Sequence, residues 1–415
     1  MNRGFYTILA AQFFSALADN ALLFAAIALL RDMNAPEWQT PVLQQFFVFA
    51  YIVLAPFVGP FADSLPKGRV MFISNAIKIG GCITMLAGMQ PLYAYGLVGV
   101  GAAMYSPAKY GILTEYLPAA RLVLANGWME GLTVLSIILG AIVGGVMIGD
   151  GFAGWMFGSF AFLGSVPLLD TAPEIAILLI LLLYLVAALI NLYIPRVVPD
   201  HKTPLRDPLF LLRDFWRSFI QLWRDPLGQV SLAVTTLFWG TGATLRLIVL
   251  LWAGAALGFD VEKATQLTAV VAVGIATGSV LAARFVKLER AVRVLPVGIL
   301  MGAIVLTMVL ITDWRAALVL LTVIGVAGGF FVVPMNALLQ HRGHLIMGAG
   351  HSIAVQNFNE NLSILALLGI YALMLRADVS LNTIIVSFGL LLMVTMTVLW
   401  RRHCHSQDDP GATDR

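Results

Sequence analysis

Apolar residues come in runs of about 20 or more, separated by short stretches rich in Pro, Gly and charge. A bilayer core needs about 20 apolar residues of helix, so each run reads as one span. Twelve are predicted, over 5–30, 42–62, 70–90, 92–113, 123–148, 174–195, 227–253, 264–285, 291–311, 314–339, 348–375 and 378–400. All are expected to be helical, because lipid offers backbone polar groups no other partner. The longest polar connection, 196–226, divides the runs six from six. It is entered through Pro195, Pro199 and Pro204. Leu212, Phe215, Trp216, Phe219, Leu222 and Trp223 then recur at helical spacing, with Arg213, Arg217 and Arg224 largely on the other side. That pattern suits a helix lying in the headgroup layer. The expected organisation is a six-helix bundle over 1–195, an amphipathic linker over 196–226, a second six-helix bundle over 227–400 and a tail over 401–415. Ala16-Leu17-Ala18 imitates a leader cleavage site, but the apolar run continues to Leu30, so an uncleaved first span is expected.

Composition sharpens this reading. The chain of 415 residues is 60% hydrophobic and 11% charged, against about 25% charged in soluble domains. The fold class is therefore all-α integral membrane. A net charge of +3 argues against a nucleic-acid partner. The cysteines, Cys82 in an apolar run and Cys404 in the polar tail, give no reason to expect a disulfide or a metal site. Of the Lys and Arg residues, eighteen fall on the side of the two termini, four on the other side and three within spans. Basic residues mark the cytoplasmic side, so both termini are expected there.

Charges inside the spans are the anomaly. Asp19, Lys78, Lys109, Glu130, Arg246 and Glu360 lie within predicted spans. A charge at a span centre costs about 2.5–3.5 kcal/mol on insertion scales. Six unpaired would cost about 15–20 kcal/mol, more than the stability of a folded domain. They must pair, meet water or face a polar cavity. Helical spacing places Gln12, Ser15 and Asp19 on one stripe, and Asn75 and Lys78 on another. Asn126, Glu130 and Thr133 share a third, and Thr235, Trp239, Gly242 and Arg246 a fourth. Gln356, Asn357, Glu360 and Asn361 form the densest cluster. Such stripes suit a cavity. Lys78 and Glu130 read as structural pairing residues, Asp19, Arg246 and Glu360 as functional, and Lys109 as a residue at the inner mouth of a path. Three acids against three bases suit a zwitterionic phosphoethanolamine head, because guanidinium forks onto phosphate and carboxylate accepts from ammonium. The same balance suits internal ion pairs.

The halves echo each other. Tyr105-Ser-Pro-Ala-Lys109, Ala125-Asn-Gly and Glu130 correspond to Val332-Val-Pro-Met-Asn336, Gly348-Ala-Gly and Glu360. Repeated six-span halves are a transporter design. His403 and Asp408 have the His-x-x-x-x-Asp spacing of some glycerolipid acyltransferases, but they lie in the polar tail without other catalytic context; no nucleotide loop, metal cluster or nucleophile–base pair appears elsewhere, so neither enzymatic activity nor a cofactor is expected.

Gly59-Pro-Phe-Ala-Asp63-Ser-Leu-Pro-Lys67-Gly-Arg69 resembles the cytoplasmic loop motif of the major facilitator superfamily, in which an acid and a Gly-basic turn clamp one state. Longer stretches resemble the bacterial lysophospholipid transporter family of that superfamily. They are Ala11–Phe24 around Asp19, Tyr105–Leu113, Leu237–Arg246, Gly328–Gln340 and Ala354–Asn361. The chain departs from that family at 149–173 and after Trp400. The resemblance implies twelve transmembrane helices in two six-helix bundles and the flipping of lysophosphatidylethanolamine and its relatives from the outer to the inner leaflet of the bacterial inner membrane. It implies facilitated alternating access and re-acylation by a cytoplasmic-face acyltransferase/acyl-carrier-protein synthetase. The family's embedded charges fall on Asp19, Lys109, Arg246 and Glu360. With Asn20, Gln356 and Asn357 these are the candidate substrate-binding residues. Lys78, Glu130, Asp63, Lys67 and Arg69 are candidates for structural or gating roles. The partners expected are the lysophospholipid and the bilayer, with the protein a monomer. A proton-coupled exporter of amphipathic drugs, with Asp19 as proton carrier, is the alternative.

Overall fold

The apolar runs become helices whose ends fall where the sequence changes chemistry. The computed structural model describes residues 3–36, 38–159, 169–197, 207–259 and 261–408, and among these no strand occurs. Pro199, Pro204, residues 160–168 of the family-divergent segment and the tail from 409 lie outside the described residues. The helices are α1 (Arg3–Asp32), α2 (Gln39–Val53), α3 (Ala55–Ser64), α4 (Lys67–Leu86), α5 (Pro91–Tyr116), α6 (Leu122–Met147), α7 (Asp150–Ser159) and α8 (Ala172–Asn191). They continue as α9 (Pro208–Arg224), α10 (Pro226–Leu257), α11 (Val261–Phe285), α12 (Leu295–Leu306), α13 (Trp314–Met347), α14 (Ala349–Arg376) and α15 (Leu381–Asp408). Helix α1 runs unbroken through Ala16–Ala18.

The expected count of twelve spans meets a difference. Among the described residues, ten helical segments qualify by length and apolarity, and eleven if the bent pair α2–α3 is one span. That pair bends by 64° at Leu54. Pro56 explains the bend: it has no N–H to give and its ring clashes with the carbonyl four residues back. The remaining expected span, 92–113, is helical as part of α5 but too polar to qualify. Tyr93, Tyr95, Tyr105, Ser106, Pro107 and Lys109 dilute its apolar character.

Helix ends follow local chemistry. Glu174 accepts the Thr171 N–H at 2.8 Å and so caps α8. Asp225 accepts the Gly228 N–H at 2.7 Å at the start of α10, with Pro226 at the first helical position. Gly348, at φ +99°, makes the left-handed step between α13 and α14.

The chain forms two compact units. The first comprises 1–116, 135–216 and 347–357; the second comprises 117–134, 217–346 and 358–415. Helices α6, α9 and α14 each contribute to both units. In the first unit, Leu22, Ala25 and Ala26 of α1 pack with Cys82 and Met85 of α4, Tyr95 and Val98 of α5, and Ile177 and Tyr184 of α8. Gly140 and Gly144 of α6 let α1 come close: a Cβ on Gly140 would lie 2.6 Å from the Asn20 Cβ. In the second unit, Gly274 and Gly278 of α11 face Gly325 and Gly329 of α13, and a Cβ on Gly274 would lie 2.7 Å from the Thr322 carbonyl oxygen. Small residues four apart allow this approach where lipid supplies no hydrophobic drive.

Candidate functional site

Two polar clusters organise the first unit. The inner one begins with the α1 stripe. Lys78 of α4 donates to both oxygens of Asp19 at 2.8 Å and to Ser15 Oγ at 3.1 Å. Ser15 donates onward to Asn75 Oδ1 at 2.9 Å. Tyr184 of α8 donates its hydroxyl to Asp19 Oδ1 at 2.7 Å. The Lys78 ammonium lies 4.9 Å from the Tyr105 ring centre and 5.5 Å from that of Tyr184. The two halves of the ion pair differ in access: the Lys78 side chain is 1% exposed and that of Asp19 is 23% exposed. The carboxylate can therefore meet a ligand while the ammonium behind it is sealed. Sequence reading assigned Asp19 to substrate and Lys78 to structure; the fold makes them one group. Asn75 Nδ2 is buried without a hydrogen-bond partner, a donor left over beside this group.

The second cluster sits where α3, α4, α5, α9 and the start of α14 meet. Asp63 accepts from Lys67 Nζ at 2.7 Å, from the Gly350 N–H at 2.8 Å and from the His351 N–H at 3.2 Å. Backbone donors at a helix start favour an anion there. Gly350 permits the approach, since a Cβ on it would lie 2.6 Å from Asp63 Oδ1. His351 Nδ1 faces Asp63 Oδ2 at 2.8 Å, and its Nε2 faces Asp214 Oδ2 of α9 at 3.1 Å. Lys67 also pairs with Glu115 at 3.1 Å. Asp63 and Lys67 are buried, whereas Arg69 is exposed and contributes to none of these bonds.

The second unit holds a polar ladder. Asn126 and Gln340 exchange bonds at 2.9 and 2.8 Å, and Asn336 donates to Glu130 at 3.3 Å. Residue numbers on α6 rise as those on α13 fall, so two i, i+4 pairs meet on antiparallel helices. The stripe of α10 opens along its length: Thr235 is buried, Trp239 half-buried, and Gly242 and Arg246 exposed. Nothing lies near the place where a Gly242 Cβ would stand. Arg342 pairs with Asp225.

The other candidates divide between the units. Asn20 spends its amide donor on the Ala16 carbonyl at 2.8 Å. Lys109 is buried, with its ammonium 4.3 Å from the Tyr110 ring centre. Asn357 donates to Ser106 Oγ at 2.9 Å, and Gln356 is buried beside it in sequence. These belong to the first unit; Glu360, also buried, belongs to the second. Sequence reading passed over Tyr184, His351, Asp214 and Glu115. Tyr184 is a lone hydroxyl in the apolar run of α8, and Asp214 a lone acid beside the basic face of the linker. Each was a signal, because an isolated polar group in such a setting needs a partner. His351 and Glu115 sit at span ends, where charge is ordinary.

The sequence profile of the Major Facilitator Superfamily matches residues 8–366. The lysophospholipid transporter LplT of Yersinia enterocolitica is 44% identical over 380 residues, covering 91% of this chain and 89% of that relative. LplT of an Escherichia coli O1:K1 strain is 44% identical over 406 residues, covering 97% of each. Among solved structures, the transporter FucP in its outward conformation gives a TM-score of 0.72 at 12% identity, covering 96% of this chain and 98% of that one. The human organic anion transporter MFSD10 gives 0.71 at 13% identity, covering 96% and 100%. At such identity these two speak for the fold alone.

Proposed function

The chain belongs to the lysophospholipid transporter family of the major facilitator superfamily, and from that premise we propose how it handles its lipid. It carries lysophosphatidylethanolamine and related lysophospholipids from the outer to the inner leaflet of the bacterial inner membrane. Transport is facilitated alternating access, and both termini are cytoplasmic. Re-acylation falls to a separate acyltransferase/acyl-carrier-protein synthetase at the cytoplasmic face, and the transporter works as a monomer.

The observation that supports this reading best is the unequal access of the Asp19–Lys78 pair. A head-group ammonium can reach the Asp19 carboxylate from outside the cluster and share it with Lys78 and Tyr184. Because Lys78 already offsets most of that charge, the ligand is held loosely enough to leave. Transport needs such release, since tight binding in one state slows the next step. In the second unit, exposed Arg246 offers a planar fork for phosphate. Lys109, Gln356 and Asn357 of the first unit and Glu360 of the second offer further polar contacts to the lipid, and Asn20 helps set Asp19 by holding α1. Asp63 and Lys67 stabilise one conformational state.

Uptake of labelled lysophosphatidylethanolamine into spheroplasts tests the scheme. Arg246→Ala removes a charge-assisted contact of about 1.5–3 kcal/mol, which predicts a loss of about 10- to 100-fold in uptake at unchanged expression. Full uptake by that variant removes Arg246 from the mechanism. An uncoupler should leave native uptake unchanged; its collapse would restore the proton-coupled scheme.

A further inference from the structure

His351 lies between two carboxylates on different elements, and each of its ring nitrogens faces one of them, Asp63 at 2.8 Å and Asp214 at 3.1 Å. A neutral imidazole has one N–H and one lone pair. It can donate to one carboxylate only, and its lone pair then points at the other. The arrangement closes only if the triad holds one proton more than a neutral imidazole supplies. The two ends are not equal. Asp63 keeps Lys67 and the N–H groups of Gly350 and His351 whatever the ring does, and Lys67 is held in turn by Glu115 of α5. The Asp214 side chain is 27% exposed, against 1% for Asp63. The first turn of α14 carries no acid of its own. Loss of the extra proton therefore weakens the Asp214 end first.

We infer that His351 is a proton-dependent latch that fastens the linker helix α9, through Asp214, to the contact between α3 and the start of α14. The protonated triad holds α9 most tightly; the neutral ring keeps Asp63 and loosens the hold on α9, whose Leu211 and Phe215 stay buried. This follows from the first unit alone and does not depend on which head group is carried.

Spin labels on Arg69→Cys and Arg213→Cys, both exposed and both in the first unit, report the latch by electron–electron distance measurement. The full chain is used in nanodiscs, with Cys82 and Cys404 replaced by Ala. At about pH 6 the native distance distribution should be narrow, and at about pH 10, beyond imidazole titration, it should broaden and shift. His351→Gln removes the titrating ring and leaves Lys67, Asp63, Glu115 and Asp214, so the shift with pH should vanish. Asp214→Ala removes the weaker end and should give the broad distribution at both pH values. A native distribution unchanged between the two pH values, a pH shift that survives His351→Gln, or a narrow distribution in Asp214→Ala overturns the latch. If His351→Gln does not fold, the Asp214→Ala arm and the native pH series decide alone.

Discussion

Removing either member of the Asp19–Lys78 pair should cost unequal amounts, and the inequality can be worked from exposure. Asp19→Leu strands the Lys78 ammonium, which is 1% exposed and keeps only Ser15 Oγ as a hydrogen-bond partner from the cluster. Breaking a buried pair in this way costs about 3–5 kcal/mol. Lys78→Met strands Asp19 instead, but that side chain is 23% exposed and keeps the Tyr184 donor. Water and the phenol then compensate much of the lost partner, so the cost falls to about 1–3 kcal/mol. The double variant strands no charge and leaves the Tyr184 hydroxyl without its acceptor, at about 1–3 kcal/mol. It should therefore be more stable than Asp19→Leu alone, a coupling that identifies a direct pair. Equilibrium unfolding in mixed micelles measures all three. Transport measured on the same proteins separates architecture from function: the double variant should fold yet fail to take up lysophosphatidylethanolamine, because the reachable carboxylate is gone. If Lys78→Met costs as much as Asp19→Leu, or the two costs simply add, the argument from access fails.

Gly350→Ala places a methyl 2.6 Å from both Asp63 Oδ1 and the Gly59 carbonyl oxygen. Because backbone is one of those neighbours, the start of α14 must shift, at about 1–3 kcal/mol; unchanged unfolding would show that the contact yields freely. Asp225→Ala loses the α10 cap, worth about 0.5–2 kcal/mol, together with its pair to Arg342. Arg342→Ala loses only the pair, and with its side chain 32% exposed the cost should stay below about 1 kcal/mol. Equal costs for these two variants would mean that the pair, and not the cap, holds the start of α10.

The helices were legible because apolar length and spacing carry them directly. The bend at Leu54 was legible too, since Pro56 is a strong signal, but a count of apolar residues over 42–62 smooths it away. The same counting did place a helix over 92–113, within α5, although its Tyr, Ser, Pro and Lys residues lower its apolarity. The glycine pairs Gly274/Gly278 and Gly325/Gly329 were readable as small residues four apart; their partners were not, because spacing names a face and not what meets it. Stripes likewise found Ser15 and Asp19, Asn75 and Lys78, and Asn126 and Glu130 before any coordinates. Which stripe faces which is a tertiary fact, and it joined Asp19 to Lys78 and Glu130 to Asn336.

The hardest distinction for sequence is between a buried charge that builds the fold and one that meets a ligand, because both need a partner for the same energetic reason. In the proposed scheme Asp19 is both. Lys78 makes its carboxylate affordable at that depth, and in that scheme the same pairing would set how strongly a visiting cation is held. The decisive quantity is the difference in exposure across one 2.8 Å contact, and that difference is fixed by what packs around the pair. On the Lys78 side stand the rings of Tyr105 and Tyr184, contributed by α5 and α8 from far along the chain. No local pattern around residue 19 or residue 78 encodes those rings, which is why the role of the pair emerges only when four helices are assembled.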